Sequence, residues 1–170
     1  WYVLGNEVVN FEKQWASTCG VEYGVGVGNG MDAIEIALRA LNIGTGDEVI
    51  TTPMTAFATV LAILRAGATP VLADIELDTA LLSIESVKRC INNKTKAILL
   101  VHLYGQVRQM DEWLNICTNH KIALLEDCAQ AHLATWKGKT AGSFGAAGAY
   151  SFYPTKNLGA AGDAGMLVTN

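Results

Sequence analysis

The chain has 170 residues, 51% of them hydrophobic and 16% charged, with 17 Gly, 3 Pro and a formal net charge of −4. A chain of this size buries roughly 70% of the surface its unfolded form exposes, so neither disorder nor dependence on disulfides or a metal is expected. Its basic residues form no run and its apolar stretches fall far short of the ~20 residues of a membrane span, so neither nucleic acid nor a membrane is an expected partner.

In chain order, the first β-rich run covers residues 22–27 and leads through Gly26-Val27-Gly28-Asn29-Gly30 into a helix beginning near Met31. There Ile34, Ile36, Ala37, Ala40 and Leu41 recur at helical spacing, and Asp32 and Glu35 complement the positive helix start. Strands are predicted at 48–52, 69–73, 97–102 and 122–126, alternating with helices beginning near Thr55, Ser83 and Met110. Most of these runs are apolar throughout, the pattern of strands covered on both faces. The alternation of strand and helix predicts a three-layer α/β/α domain around a mainly parallel, seven-stranded sheet.

After Glu126 the rhythm changes, because residues 141–148 are rich in Gly and Ala and the last predicted strands, 148–152 and 165–169, are joined without a helix. The final strand is therefore free to run antiparallel. No repeat or linker divides the chain, which reads as one domain over 1–170. Cys19, Cys90, Cys117 and Cys128 show no CxxC spacing, and no leader precedes Trp1, so no metal site is expected and a cytoplasmic setting is the default.

Ligands of open α/β sheets collect at the carboxyl ends of the strands. The turn into the first predicted helix offers free N–H groups to a phosphate. Its glycines miss the G-x-G-x-x-G spacing of a dinucleotide fold, and by itself it serves equally well as a phosphate cradle or a plain tight turn. After the fifth strand stand Glu126, Asp127, Gln130 and His132. Asp127 either meets a positive partner or caps a short helix beside an exposed His132. Lys156 lies among apolar and small residues in Ser151-Phe152-Tyr153-Pro154-Thr155-Lys156-Asn157-Leu158-Gly159, where loss of solvation makes an amine a usable nucleophile. A cradle at Gly30 and Met31, an anion at Asp127 and an amine at Lys156 together match the needs of pyridoxal phosphate.

Five motifs in order carry a resemblance to the DegT/DnrJ/EryC1/StrS sugar aminotransferases, a fold-type I branch. They are Gly28-Asn29-Gly30-Met31-Asp32-Ala33, Gly46-Asp47-Glu48-Val49-Ile50, Val101-His102-Leu103-Tyr104-Gly105-Gln106, Glu126-Asp127-Cys128-Ala129-Gln130-Ala131-His132 and the Lys156 segment. The resemblance implies that Lys156 is the covalent anchor and proton shuttle for pyridoxal 5′-phosphate and that Asp127 pairs with the ring nitrogen. It further implies that Gln130 lies near the ring and that Ser151 with the Gly30 and Met31 amides holds the phosphate. The substrates it implies are a nucleotide-linked keto-sugar and an amino-acid donor, glutamate, handled by a homodimer.

The chain departs from the family pattern at three places. Ala56 stands at the usual ring-stacking position with Phe57, the expected cofactor contact, one step later, Leu133 and Ala164 replace common glycines, and family members are roughly twice as long. The expectation that follows is a large domain without the family's N-terminal segment and C-terminal small domain. The alternative to an active enzyme is a truncated domain that folds and self-associates without turnover.

Overall fold

The computed structural model describes residues 4–170. Its centre is a seven-stranded sheet built from β1 (Tyr23–Val27), β2 (Glu48–Thr51), β3 (Thr69–Leu72), β4 (Thr95–Val101), β5 (Ala123–Asp127), β8 (Ala147–Ser151) and β9 (Gly165–Thr169). A two-stranded hairpin of β6 (Thr135–Trp136) and β7 (Lys139–Thr140) stands apart from it. The sheet order is β1-β9-β8-β5-β4-β2-β3. β9 is antiparallel to both of its neighbours, and the remaining pairings are parallel. The seven predicted strands are these seven, and the last one runs antiparallel as its helix-free connection allowed.

Successive strand residues enter opposite cores, which explains the continuous apolar runs. Ile50, Ile98, Leu124 and Tyr150 pack on one face, while Val49, Ala97, Leu99, Leu125 and Ala149 pack on the other. Helices α2 (Gly30–Ala40) and α3 (Phe57–Ala66) cover the second face through Ile34, Leu38, Ala62 and Ile63. Helices α1 (Asn6–Cys19), α4 (Ile84–Cys90) and α5 (Met110–His120) supply Trp15, Val87 and Trp113 to the first. Among the described residues no helix is long and apolar enough to cross a membrane.

Two elements were not visible in the sequence. α1 starts at Gly5, which has no side chain with which to cap it, and its Val8, Val9 and Phe11 remain exposed, so no single apolar stripe marks it. The hairpin turns through Lys137 and Gly138, both at positive φ, where Asn-Gly would have been a clear signal. At the far border, the Thr69 and Ala73 N–H groups donate inward to Asp47 and Thr51 carbonyls, which turns Pro70 to the open side of β3.

Candidate active site

The carboxyl ends of β1, β5 and β8 converge beside the starts of α2 and α3. Asn29 caps α2, its Oδ1 accepting the Asp32 N–H at 2.9 Å, while the Ala33 N–H goes to the Asn29 carbonyl at 3.2 Å. Of the first-turn donors that a helix leaves without internal acceptors, those of Gly30 and Met31 remain for a ligand. A Cβ built on Gly30 would lie 2.8 Å from the Ser151 Cβ, so only glycine lets α2 begin this close to β8. Gly165, opposite Ser151 in the sheet, has Asn29 backbone at 2.3 Å from its own hypothetical Cβ. The helix start is thus seated against two strands by backbone contact.

Asp127 ends β5 and is buried. Its Oδ2 accepts from the Thr59 hydroxyl at 2.8 Å, and its Oδ1 from the Ala129 N–H at 3.1 Å. No helix follows it, so the capping alternative for this residue does not hold. Its neighbour Glu126 points to the other face of the sheet, where Oε2 lies 2.8 Å from His102 Nε2 and accepts the Gly142 N–H, also at 2.8 Å. Glu126 Oε1 accepts the Phe144 and Gly145 N–H groups. Burial by itself would raise the Glu126 carboxyl, but the hydrogen bonds from His102, Gly145 and Gly142 outweigh it and hold the group below its usual value.

One cavity of about 360 Å³ is lined by Gly30, Met31, Asp127, Ser151 and Lys156, together with Ala56, Ala58, Thr59, Ala129, Tyr153 and Asp163. Five of the seven residues singled out in the sequence therefore share one wall. Gln130 lies next door in a crevice with Tyr104, Thr155, Lys156 and Asn157, and its Oε1 accepts the Tyr104 N–H at 2.9 Å. Phe57 does not line the cavity; it is 70% exposed, whereas Ala56 and Ala58 on either side of it face inward. Ala56 is the extended N-cap of α3 and Phe57 its first helical residue, so the backbone turns between them and the Phe57 ring leaves toward solvent.

His132 is half-buried rather than exposed. Its ring packs against Trp15, Tyr150 and Phe152, and Nε2 donates to the Ser151 carbonyl at 2.9 Å. Burial first, and the charge of Lys156 after it, outweigh that hydrogen bond and push the imidazole below its ordinary value. The neutral ring holds the end of β8 on which Ser151 is carried. Thr59 escaped the sequence reading, since a threonine in an apolar helix carries no motif; Tyr104 stood in one of the five motifs but was given no role. The unusual φ of +57° at Tyr104 appears only in the fold.

The fold is that of the fold-type I α/β enzymes. The chain belongs to the DegT/DnrJ/EryC1/StrS aminotransferase family, whose model matches residues 1–170. It is 48% identical over 170 residues to a dTDP-3-amino-3,6-dideoxy-alpha-D-galactopyranose transaminase from Aneurinibacillus thermoaerophilus, covering 100% of this chain and 47% of that one. It is also 48% identical over 169 residues to a pleiotropic regulatory protein from Geobacillus stearothermophilus, covering 99% and 45%. Among solved structures, an aminotransferase from Psychrobacter cryohalolentis superposes with a TM-score of 0.96 at 41% identity, covering 99% of this chain and 43% of that one. NtdA from Bacillus subtilis with bound cofactor PMP superposes with a TM-score of 0.90 at 34% identity, covering 97% and 37%. The chain thus spans a little under half the length of these relatives.

Proposed function

We propose that this chain is the cofactor-binding large domain of a pyridoxal-phosphate-dependent aminotransferase that moves an amino group from an amino acid, glutamate, to a nucleotide-linked keto-sugar. The observation that carries this reading is the convergence of Lys156, Asp127 and the Gly30–Met31–Ser151 cradle on one cavity. The residues fit the group: the cradle offers two free helix-start N–H groups and a hydroxyl, and the carboxylate lines the same cavity with each oxygen already held by one donor. When bound, pyridoxal phosphate supplies an electron sink for charge that develops at the substrate carbon.

Lys156 Nζ would hold the cofactor covalently, and once an incoming amine displaces it the freed amine would carry a proton to and from the reacting carbon. Asp127 would pair with the ring nitrogen and keep its proton in place. Gly30, Met31 and Ser151 would bind the phosphate, and Gln130, fixed by the Tyr104 N–H, would bound the ring. Ala56 lies where a ring-stacking side chain would be, and the enzyme works as a cytoplasmic homodimer.

Mixing the protein with pyridoxal phosphate and reducing with borohydride should leave the cofactor's mass on the peptide carrying Lys156. Lys156→Ala should abolish the adduct and leave the melting temperature unchanged. An unlabelled Lys156 peptide in the wild type would overturn the reading. Transamination measured on the 170-residue chain separates an active enzyme from the alternative of a domain that folds and self-associates without turnover.

A further inference from the structure

α3 presents Thr59, Ala62, Ile63 and Ala66 as its buried face, one continuous stripe at helical spacing. Three of the four are apolar, and the fourth carries a hydroxyl at 1% exposure. Burying a hydroxyl there is unfavourable unless it is fully hydrogen-bonded, and valine has the same shape without it. The partners of that hydroxyl point toward the cavity: Thr59 Oγ1 lies 2.8 Å from Asp127 Oδ2 and 2.7 Å from Thr55 Oγ1.

Counting hydrogens sets the direction of the chain. A carboxylate accepts only, so the single Thr59 hydrogen is directed to Asp127, and Thr55 must donate to Thr59. With the Ala129 N–H on Oδ1, each carboxylate oxygen receives one protein donor. The plane of the group is thereby fixed, and its remaining lone pairs are left for the cavity. We propose that Thr59, itself oriented by Thr55, is a positioning residue that aims the Asp127 carboxylate at the ring nitrogen of the cofactor. The inference rests on the pyridoxal phosphate reading above and adds to it a residue that does not touch the reacting atoms.

The test is a binding titration of wild type, Thr59→Val and Thr59→Ser with two probes: pyridoxal phosphate and 1-deazapyridoxal phosphate, which has carbon in place of the ring nitrogen. Loss of one hydrogen bond to a charged acceptor should weaken pyridoxal phosphate binding about tenfold in Thr59→Val. Binding of the deaza probe should be unchanged, because its ring has nothing for Asp127 to receive. Thr59→Ser should restore the affinity of the wild type, and the melting temperature of the cofactor-free variants checks that each is folded. Equal weakening toward both probes, no weakening toward either, or a serine variant as weak as the valine one would overturn the proposal. If the wild type binds neither probe, the functional reading falls and the proposal falls with it.

Discussion

Replacing Glu126 by Gln removes one charge and turns one acceptor into a donor at a site that is 1% exposed. The retained amide oxygen can keep the Phe144 and Gly145 N–H bonds, now without charge assistance. The new NH2 group takes the place of Oε2, facing the Gly142 N–H and His102 Nε2 at the positions that now lie 2.8 Å away. His102 can change tautomer and accept, whereas the Gly142 N–H cannot and is left unpaired. The buried Gly142 N–H left unpaired and three bonds that lose charge assistance, those of Phe144, Gly145 and His102, sum to about 4 kcal/mol. For a domain of this size that corresponds to a melting temperature lower by about 10 °C.

The pH dependence carries a sign. The folded-state carboxyl is held below its usual value, so its contribution is present in full above the unfolded-chain pKa of about 4.3 and is lost as pH falls through the lower folded value. Thermal melts of wild type and Glu126→Gln should therefore differ most near neutrality and converge as the pH drops below about 4.3. A difference under 2 °C at neutral pH, or one that stays constant down to the acid limit of folding, would refute the reasoning.

Two further substitutions probe the packing that supports the site. Gly165→Ala drives a methyl group into the Asn29 carbonyl, 2.3 Å from its carbon; it should cost about 3 kcal/mol in urea unfolding and weaken pyridoxal phosphate uptake as the start of α2 is displaced. Tyr150→Phe removes the hydroxyl that donates to the Ala141 carbonyl and accepts from Cys19 Sγ at 3.4 Å; leaving that carbonyl unpaired should cost about 1–2 kcal/mol by the same measurement, with cofactor affinity unchanged.

The sheet was legible because its strands are covered on both faces: runs such as the one from Ala97 to Val101 are apolar at every residue, a pattern that exposed strands do not show. Gly30, Met31, Asp127, Ser151 and Lys156 were legible because strand ends are where such folds collect ligands, and these residues stand at or just beyond strand ends. Thr59 was not, since its meaning comes from a carboxylate 68 residues away. Phe57 shows the limit of matching by register: one position along a helix start reverses which side chain faces inward. His132 closes one of the five motifs, but its burial depends on Trp15 from α1, the helix whose exposed valines and uncapped start concealed it.

Pro70 has a consequence for how this protein behaves at high concentration. Its ring leaves the outer border of β3 without one of the regularly spaced donors that an incoming strand would engage. A partly unfolded neighbour meets a gap in the ladder at that point and gains little by adding on. The chemistry of a single imino acid thus blunts this border of the sheet, the one opposite β1.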